Sequence, residues 1–199
     1  MISIEEKLFK SALHQIESVK GGRLDILDKI ASRLTSRVKS DHKANVIFVC
    51  THNSRRSQIA EVSLRSFLKV LQLPEINVFS CGTEKTGIPD QIVHLLNGLG
   101  FEVSRVGEQV NVGNDIILSS KTFEDPGLPP NLLAIMVCDQ ASESCPFVPS
   151  FSERISLEFQ DPKSADGSPE ETASYENAWK KISREMAYLA LKLEENIRG

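Results

Sequence analysis

The stretch Val46-Ile47-Phe48-Val49-Cys50-Thr51-His52-Asn53-Ser54-Arg55-Arg56-Ser57 decides how this chain is read. Its first four residues are an apolar, largely β-branched run of the kind that becomes a strand covered on both faces. Cys50 closes the run, a polar loop follows, and Ala60, Leu64, Phe67, Leu68 and Leu71 then mark one face of a helix that Pro74 ends. In an open α/β sheet, ligands bind at that end of a strand. Successive backbone N–H groups in such a loop converge into a nest, and the following helix adds positive potential at its amino end. Residues 51–56 are thus a cradle for an oxyanion. Arg56 closes it with a planar guanidinium that pairs two oxygens of a tetrahedral anion. At the floor, Cys50 is favoured as a thiolate by the amide dipoles, the helix start and the nearby cation. A thiolate beneath a bound tetrahedral anion is a nucleophile in position.

Within the loop, the Asn53 amide can brace the backbone and Ser57 can donate its hydroxyl to the sulfur. His52 is open to a general-base role, but an already ionised thiol needs none, so it is read as a loop residue. Thr51, His52, Asn53, Ser54, Arg55 and Ser57 are the candidates for binding the substrate. An oxygen leaving group needs a general acid, and Asp161-Pro162, just after the last predicted strand, supplies one at the same sheet edge.

Outward from the loop, the pattern of strand, loop and helix repeats. Residues 76–80 read as a second strand, and Pro89 opens a helix with Ile92, Leu95, Leu96 and Leu99 inward and Gly100 just past its end. Residues 112–118 are ambiguous between strand and loop. Residues 132–137 are the strongest buried strand, and residues 154–159 form a weaker, alternating one. A long final helix carries Tyr175, Trp179, Ile182, Met186, Leu189, Leu193 and Ile197 on one face, a core stripe. The alternation predicts an α/β domain with a parallel sheet wrapped on both sides, spanning residues 45–199. Before it, residues 4–20 and 24–38 have helical periodicity, with Gly21-Gly22 as the break between them. Residues 1–44 therefore read as an N-terminal helical hairpin outside the main domain. The several basic residues between 33 and 43 fit a solvated helix end.

The chain has 199 residues, with 23 Lys and Arg against 27 Asp and Glu, a formal net charge of -4 that disfavours a general nucleic-acid binder. Hydrophobic residues at 40% and charged residues at 25% fit a globular protein. No apolar run approaches the ~18 residues of a membrane span. Glu5 and Glu6 stand where a secretory peptide would be positive, so the expected location is cytoplasmic. His14, His42 and His94 form no metal-ligand spacing, and no metal or cofactor is expected.

Four cysteines, at 50, 81, 138 and 145, are too few for a disulfide framework. Cys81 reads as core. Cys138 closes the strongest strand, which brings it to the edge where Cys50 sits. If the residues from Cys138 to Cys145 are helical, seven steps of ~1.5 Å hold the two Cα atoms roughly 10 Å apart. A disulfide spans at most about 7 Å, so this pair can oxidise only if the segment unwinds. That points to a thiol relay. The spacing does not fit a zinc site.

Residues 49–58, the Ser80-Cys81-Gly82-Thr83 turn, Cys138 through Cys145-Pro146 and Asp161-Pro162 resemble the low molecular weight protein tyrosine phosphatase superfamily, closest to its thioredoxin-coupled arsenate reductases. The likeness spans about residues 45–197. It implies a four-stranded parallel sheet flanked by helices, with Cys50 as nucleophile, Arg56 as oxyanion clamp, Ser57 and Asn53 as loop support and Asp161 as acid. In the reductases, Cys50 attacks arsenate, Cys138 attacks Cys50, and Cys145 takes over Cys138, leaving a redox-active disulfide for thioredoxin. Three features depart from the pattern: Arg55 replaces another cysteine, Lys163 replaces an aryl-binding tyrosine of many phosphatases, and the N-terminal hairpin is an addition. The leading expectation is arsenate reduction, as in arsenical resistance. A phosphatase acting on phosphotyrosine or small phosphate esters is the alternative, and a non-catalytic anion-sensing or partner-binding protein is the third.

Overall fold

The computed structural model describes residues 2–125, 127–139 and 146–199. Its framework is a four-stranded sheet in the order β2-β1-β6-β7, all neighbours parallel, formed by β1 (Ala44–Cys50), β2 (Ile76–Gly82), β6 (Leu132–Met136) and β7 (Phe151–Ser156). The fold is the four-stranded parallel sheet flanked by helices that the sequence led us to expect. Central β1 and β6 are almost wholly apolar because both of their faces are covered; Val46, Ile47, Phe48 and Val49 are all fully buried. Three short antiparallel strands, β3 (Val103–Val106), β4 (Gln109–Val112) and β5 (Ile116–Leu118), form a second sheet.

Helices α1 (Ile4–Leu13), α2 (Gly21–Asp41), α3 (Arg56–Val70), α4 (Asp90–Gly98) and α5 (Glu171–Arg198) surround the sheets. Helices α2 and α3 pack on β1, while α5 packs against α1, α2, α3 and α4. Its stripe of Tyr175, Trp179, Ile182, Met186, Leu189 and Leu193 is buried, as its periodicity predicts. The two N-terminal helices do not pair with each other as the expected hairpin would: α1 packs on α5 and α3, and α2 packs on α5 and β1. Leu27, Ile30, Ala31 and Leu34 are fully buried within the same apolar cluster as Phe48 and Phe67. Among the described residues, no helix is long and apolar enough to cross a membrane.

Three boundaries differ from the sequence expectations. The first helix stops at Leu13, and a 3-10 turn at Ile16–Ser18 follows, where the Ser18 hydroxyl bonds the Gln15 carbonyl. Gly21-Gly22 then opens α2 instead of ending α1. Strand β7 begins at Phe151, three residues before the expected start, although Leu157 and Phe159 still donate N–H groups to Met136 and Val137 and carry the pairing forward. The β3–β4 hairpin carries no strong sequence signal because β3 is mostly exposed.

The parallel register is what positions the chemistry. Cys50 lies opposite Gly82 and Val49 opposite Met136, so the chain ends leaving β2, β1, β6 and β7 emerge at one edge of the sheet.

Candidate active site

Cys50 closes β1 and points into the loop that follows. Its sulfur accepts the Asn53 backbone N–H at 3.1 Å and lies 3.1 Å from the Ser57 hydroxyl, with the residue 4% exposed. The Asn53 N–H and the Ser57 hydroxyl thus meet the sulfur from inside the loop and from the start of the helix that follows. Residues 51–55 turn back over it, and α3 starts immediately after, its amino end facing the same space.

Asn53 organises this loop. It adopts φ 45°, a left-handed conformation that asparagine tolerates better than most residues. Fully buried, its amide donates to the Ser57 and Ser80 hydroxyls at 3.0 and 2.8 Å, and its carbonyl oxygen accepts the Lys121 N–H at 2.9 Å. Ser80 in turn donates to the buried Glu61 carboxylate at 2.6 Å. Gln58 donates to the Asn53 backbone carbonyl at 2.9 Å. Gly82 closes the opposite wall. A Cβ there would lie 2.6 Å from the Thr51 carbonyl oxygen and 2.8 Å from the Asn53 nitrogen, so only glycine lets β2 press against the loop. The Glu84 N–H then bonds the Thr51 carbonyl at 2.8 Å.

Arg56 is 9% exposed and reaches across to the segment after β7. Its guanidinium donates to the Phe159 carbonyl at 2.9 Å and to Asp161 at 2.6 Å. Asp161 and Arg56 thus meet across 105 residues of sequence. Asp161 also accepts the Lys163 N–H at 3.1 Å and so caps the 3-10 turn Pro162–Ala165.

Cys138 follows β6 at the same edge. It is fully buried, and its sulfur lies 3.6 Å from the Thr51 hydroxyl, beside the Cys50 loop. Cys145 lies outside the described residues. Cys81 is buried in β2, as the core reading of that cysteine expects.

The remaining loop candidates separate. His52 sits at the surface, 3.5 Å from Glu84, with its carbonyl taking bonds from Thr86 and Ser120. Ser54 is buried, and its hydroxyl lies 3.4 Å from Arg55. Arg55 turns toward α5, donating to the Tyr175 hydroxyl at 2.6 Å and to Asp166 at 2.9 Å. Tyr175 completes the triangle by donating to Asp166 at 2.8 Å. Burial opposes the Arg55 charge, but the Tyr175 and Asp166 contacts outweigh it and raise its pKa. Burial, reinforced by Asp166, pushes the Tyr175 hydroxyl up to about 12, so it stays protonated and able to donate. A cleft of about 720 Å³ flanks this side of the loop, lined by His52, Arg55, Lys85, Arg105 and Lys163 among others.

Asp166, Tyr175 and Gln58 were not singled out in the sequence as site residues. By periodicity Tyr175 belongs to the core stripe, yet a tyrosine on a buried stripe needs a partner for its hydroxyl, and that need is the available signal.

The family model for low molecular weight phosphotyrosine protein phosphatase matches residues 45–198. An arsenate reductase of Halalkalibacterium halodurans is 32% identical over 130 residues, which are 65% of this chain and 82% of that protein. For an arsenate reductase of Bacillus licheniformis the identity is 35% over 130 residues, 65% of this chain and 81% of that protein. Among solved structures, a protein tyrosine phosphatase from Entamoeba histolytica aligns with a TM-score of 0.51 at 14% identity, over 77% of this chain and 98% of its own. The arginine phosphatase YwlE aligns with a TM-score of 0.50 at 19% identity, over 77% and 98%. The two structures share this fold.

Proposed function

This chain belongs to the low molecular weight phosphotyrosine protein phosphatase family, and from that premise we propose that it reduces arsenate to arsenite through a relay of Cys50, Cys138 and Cys145. The catalytic unit is residues 45–199, and residues 1–44 are an N-terminal extension. Arsenate sits in the loop of residues 51–56 with the Arg56 fork on two of its oxygens. The Cys50 thiolate attacks arsenic, an S–As bond forms, and one arsenate oxygen leaves as water with a proton from Asp161. The Cys138 thiolate then attacks the Cys50 sulfur. An S–S bond forms and the S–As bond breaks with its electron pair on arsenic, which departs as arsenite. Cys145 attacks Cys138, returning Cys50 as thiolate, and a dithiol protein of the thioredoxin type reduces the resulting disulfide in a reducing cytoplasm.

One observation carries this reading: the Cys138 sulfur lies at the Cys50 edge of the sheet, 3.6 Å from the Thr51 hydroxyl in the loop itself. The similarity to two arsenate reductases supports it. A second reading, hydrolysis of phosphate monoesters by Cys50, Arg56 and Asp161, is favoured by the 2.6 Å contact that sets the Asp161 carboxyl beside the anion clamp.

The two readings part at Cys138→Ser, assayed in thioredoxin-coupled arsenate reduction and in hydrolysis of an aryl phosphate. The relay predicts arsenate turnover at background with any ester hydrolysis retained. Undiminished arsenate turnover would rule the relay out.

A further inference from the structure

The adjacent arginines of the loop grip both ends of one short segment. Arg56 holds Asp161 at 2.6 Å, and Arg55 holds Asp166 at 2.9 Å. Between the two aspartates lies only the 3-10 turn Pro162–Ala165. The two grips are not equivalent. Arg56 has a second duty under the function proposed above: its fork must turn to the anion, and every bond it gives the anion weakens its hold on Asp161. Arg55 is turned the other way: its Nε donates to Tyr175 and its Nη2 to Asp166, and its Nη1 stands 3.4 Å from the Ser54 hydroxyl. Tyr175 is 2% exposed and fixed in the long helix α5, so this end of the segment is tied to the core.

We propose that Arg55, through Asp166 and Tyr175, is a positioning residue that keeps the acid-bearing segment over the loop when the oxyanion takes Arg56 away from Asp161. The proposal rests on the functional reading above and reassigns Arg55, whose place in the loop first suggests a direct ligand for the anion. With its Nε on Tyr175 and its Nη2 on Asp166, Arg55 contributes placement instead of affinity. Anion binding then does two things at once: it fills the cradle, and it frees the Asp161 carboxyl to serve as acid, while the Arg55 anchor limits how far that carboxyl drifts.

The test compares the parent with Arg55→Met and the milder Tyr175→Phe, using inorganic phosphate as the probe. Amide hydrogen exchange across residues 161–166 is followed with and without saturating phosphate. For Arg55→Met, exchange in this segment should rise about tenfold or more with phosphate bound, while the parent stays protected, because only the variant has lost both arginine tethers and keeps just the Tyr175 hydroxyl on Asp166. The phosphate dissociation constant should stay within about twofold of the parent, since no ligand to the anion has been removed. In hydrolysis, phenyl phosphate, whose poor leaving group needs the acid, should lose about tenfold or more in kcat, whereas p-nitrophenyl phosphate should change little. Arg55→Lys should not rescue, because a point charge cannot hold two partners at fixed angles.

Unchanged exchange in the phosphate-bound variant would overturn the proposal. So would a phosphate affinity weakened about tenfold, which would make Arg55 a ligand. Should the parent hydrolyse neither ester and reduce no arsenate, the functional reading falls, and the exchange result alone still decides whether Arg55 anchors the segment.

Discussion

Asn53 carries more of the loop's geometry than any charged group in it. Its backbone is left-handed at φ 45°, its own N–H reaches the Cys50 sulfur, and its amide ties together Ser57, Ser80 and Lys121. Two variants separate these contributions. Asn53→Ala loses the side-chain bonds and strains the backbone, which should destabilise the protein by about 3 kcal/mol in urea unfolding. Asn53→Gly keeps the conformation and should recover about 1 kcal/mol of that, while activity stays low in both because Ser57 has lost its brace. Equal stability for the two variants would mean that φ at this position is not under strain. Cys50, Asn53, Arg56 and Ser57 are legible in the sequence because they fall within eight consecutive residues after a buried strand, where local order dictates what each can reach. Arg55 is not legible in the same way. Its partner Asp166 lies 111 residues away, and nothing local distinguishes an arginine that faces the anion from one that faces away.

Among the elements, α2 bears on the site indirectly. Arg23, at its start, donates two bonds of 2.7 Å to Glu185 of α5, a carboxylate 2% exposed, and its guanidinium carbon stands 4.8 Å over the Phe159 ring. The Phe159 carbonyl is one of the two acceptors that hold Arg56. Arg23→Ala would leave Glu185 buried without its partner and should cost about 3 kcal/mol, read from the denaturation midpoint. Replacing both residues by methionine should recover most of that loss, since removing both charges spares the uncompensated one. A single variant as stable as the parent would mean that α2 is not locked to α5 through this pair. The same contrast explains which elements the sequence reveals. β1, β6 and α5 are long or wholly apolar, so periodicity exposes them. The β3–β4 hairpin has four residues per strand and an exposed first strand, and only its partners define it.

At the scale of the whole molecule, parallel topology brings together residues that the sequence scatters. β1 delivers Cys50, the chain after β6 delivers Cys138, and the chain after β7 delivers Asp161, all to one edge. The N-terminal helices join the same core, which the sequence could not reveal because amphipathic helices look alike whether they fold on a domain or apart from it. The central claim is that electrons pass from sulfur to arsenic at this edge in a fixed order. It is tested most directly by giving the fully reduced protein stoichiometric arsenate without any external reductant and mapping its disulfides by mass spectrometry. The account predicts one equivalent of arsenite with a Cys138–Cys145 bond in the parent, and a Cys50–Cys138 bond in Cys145→Ser. Arsenite formed with Cys138 still a thiol, or all thiols retained with arsenate unconsumed, would contradict it.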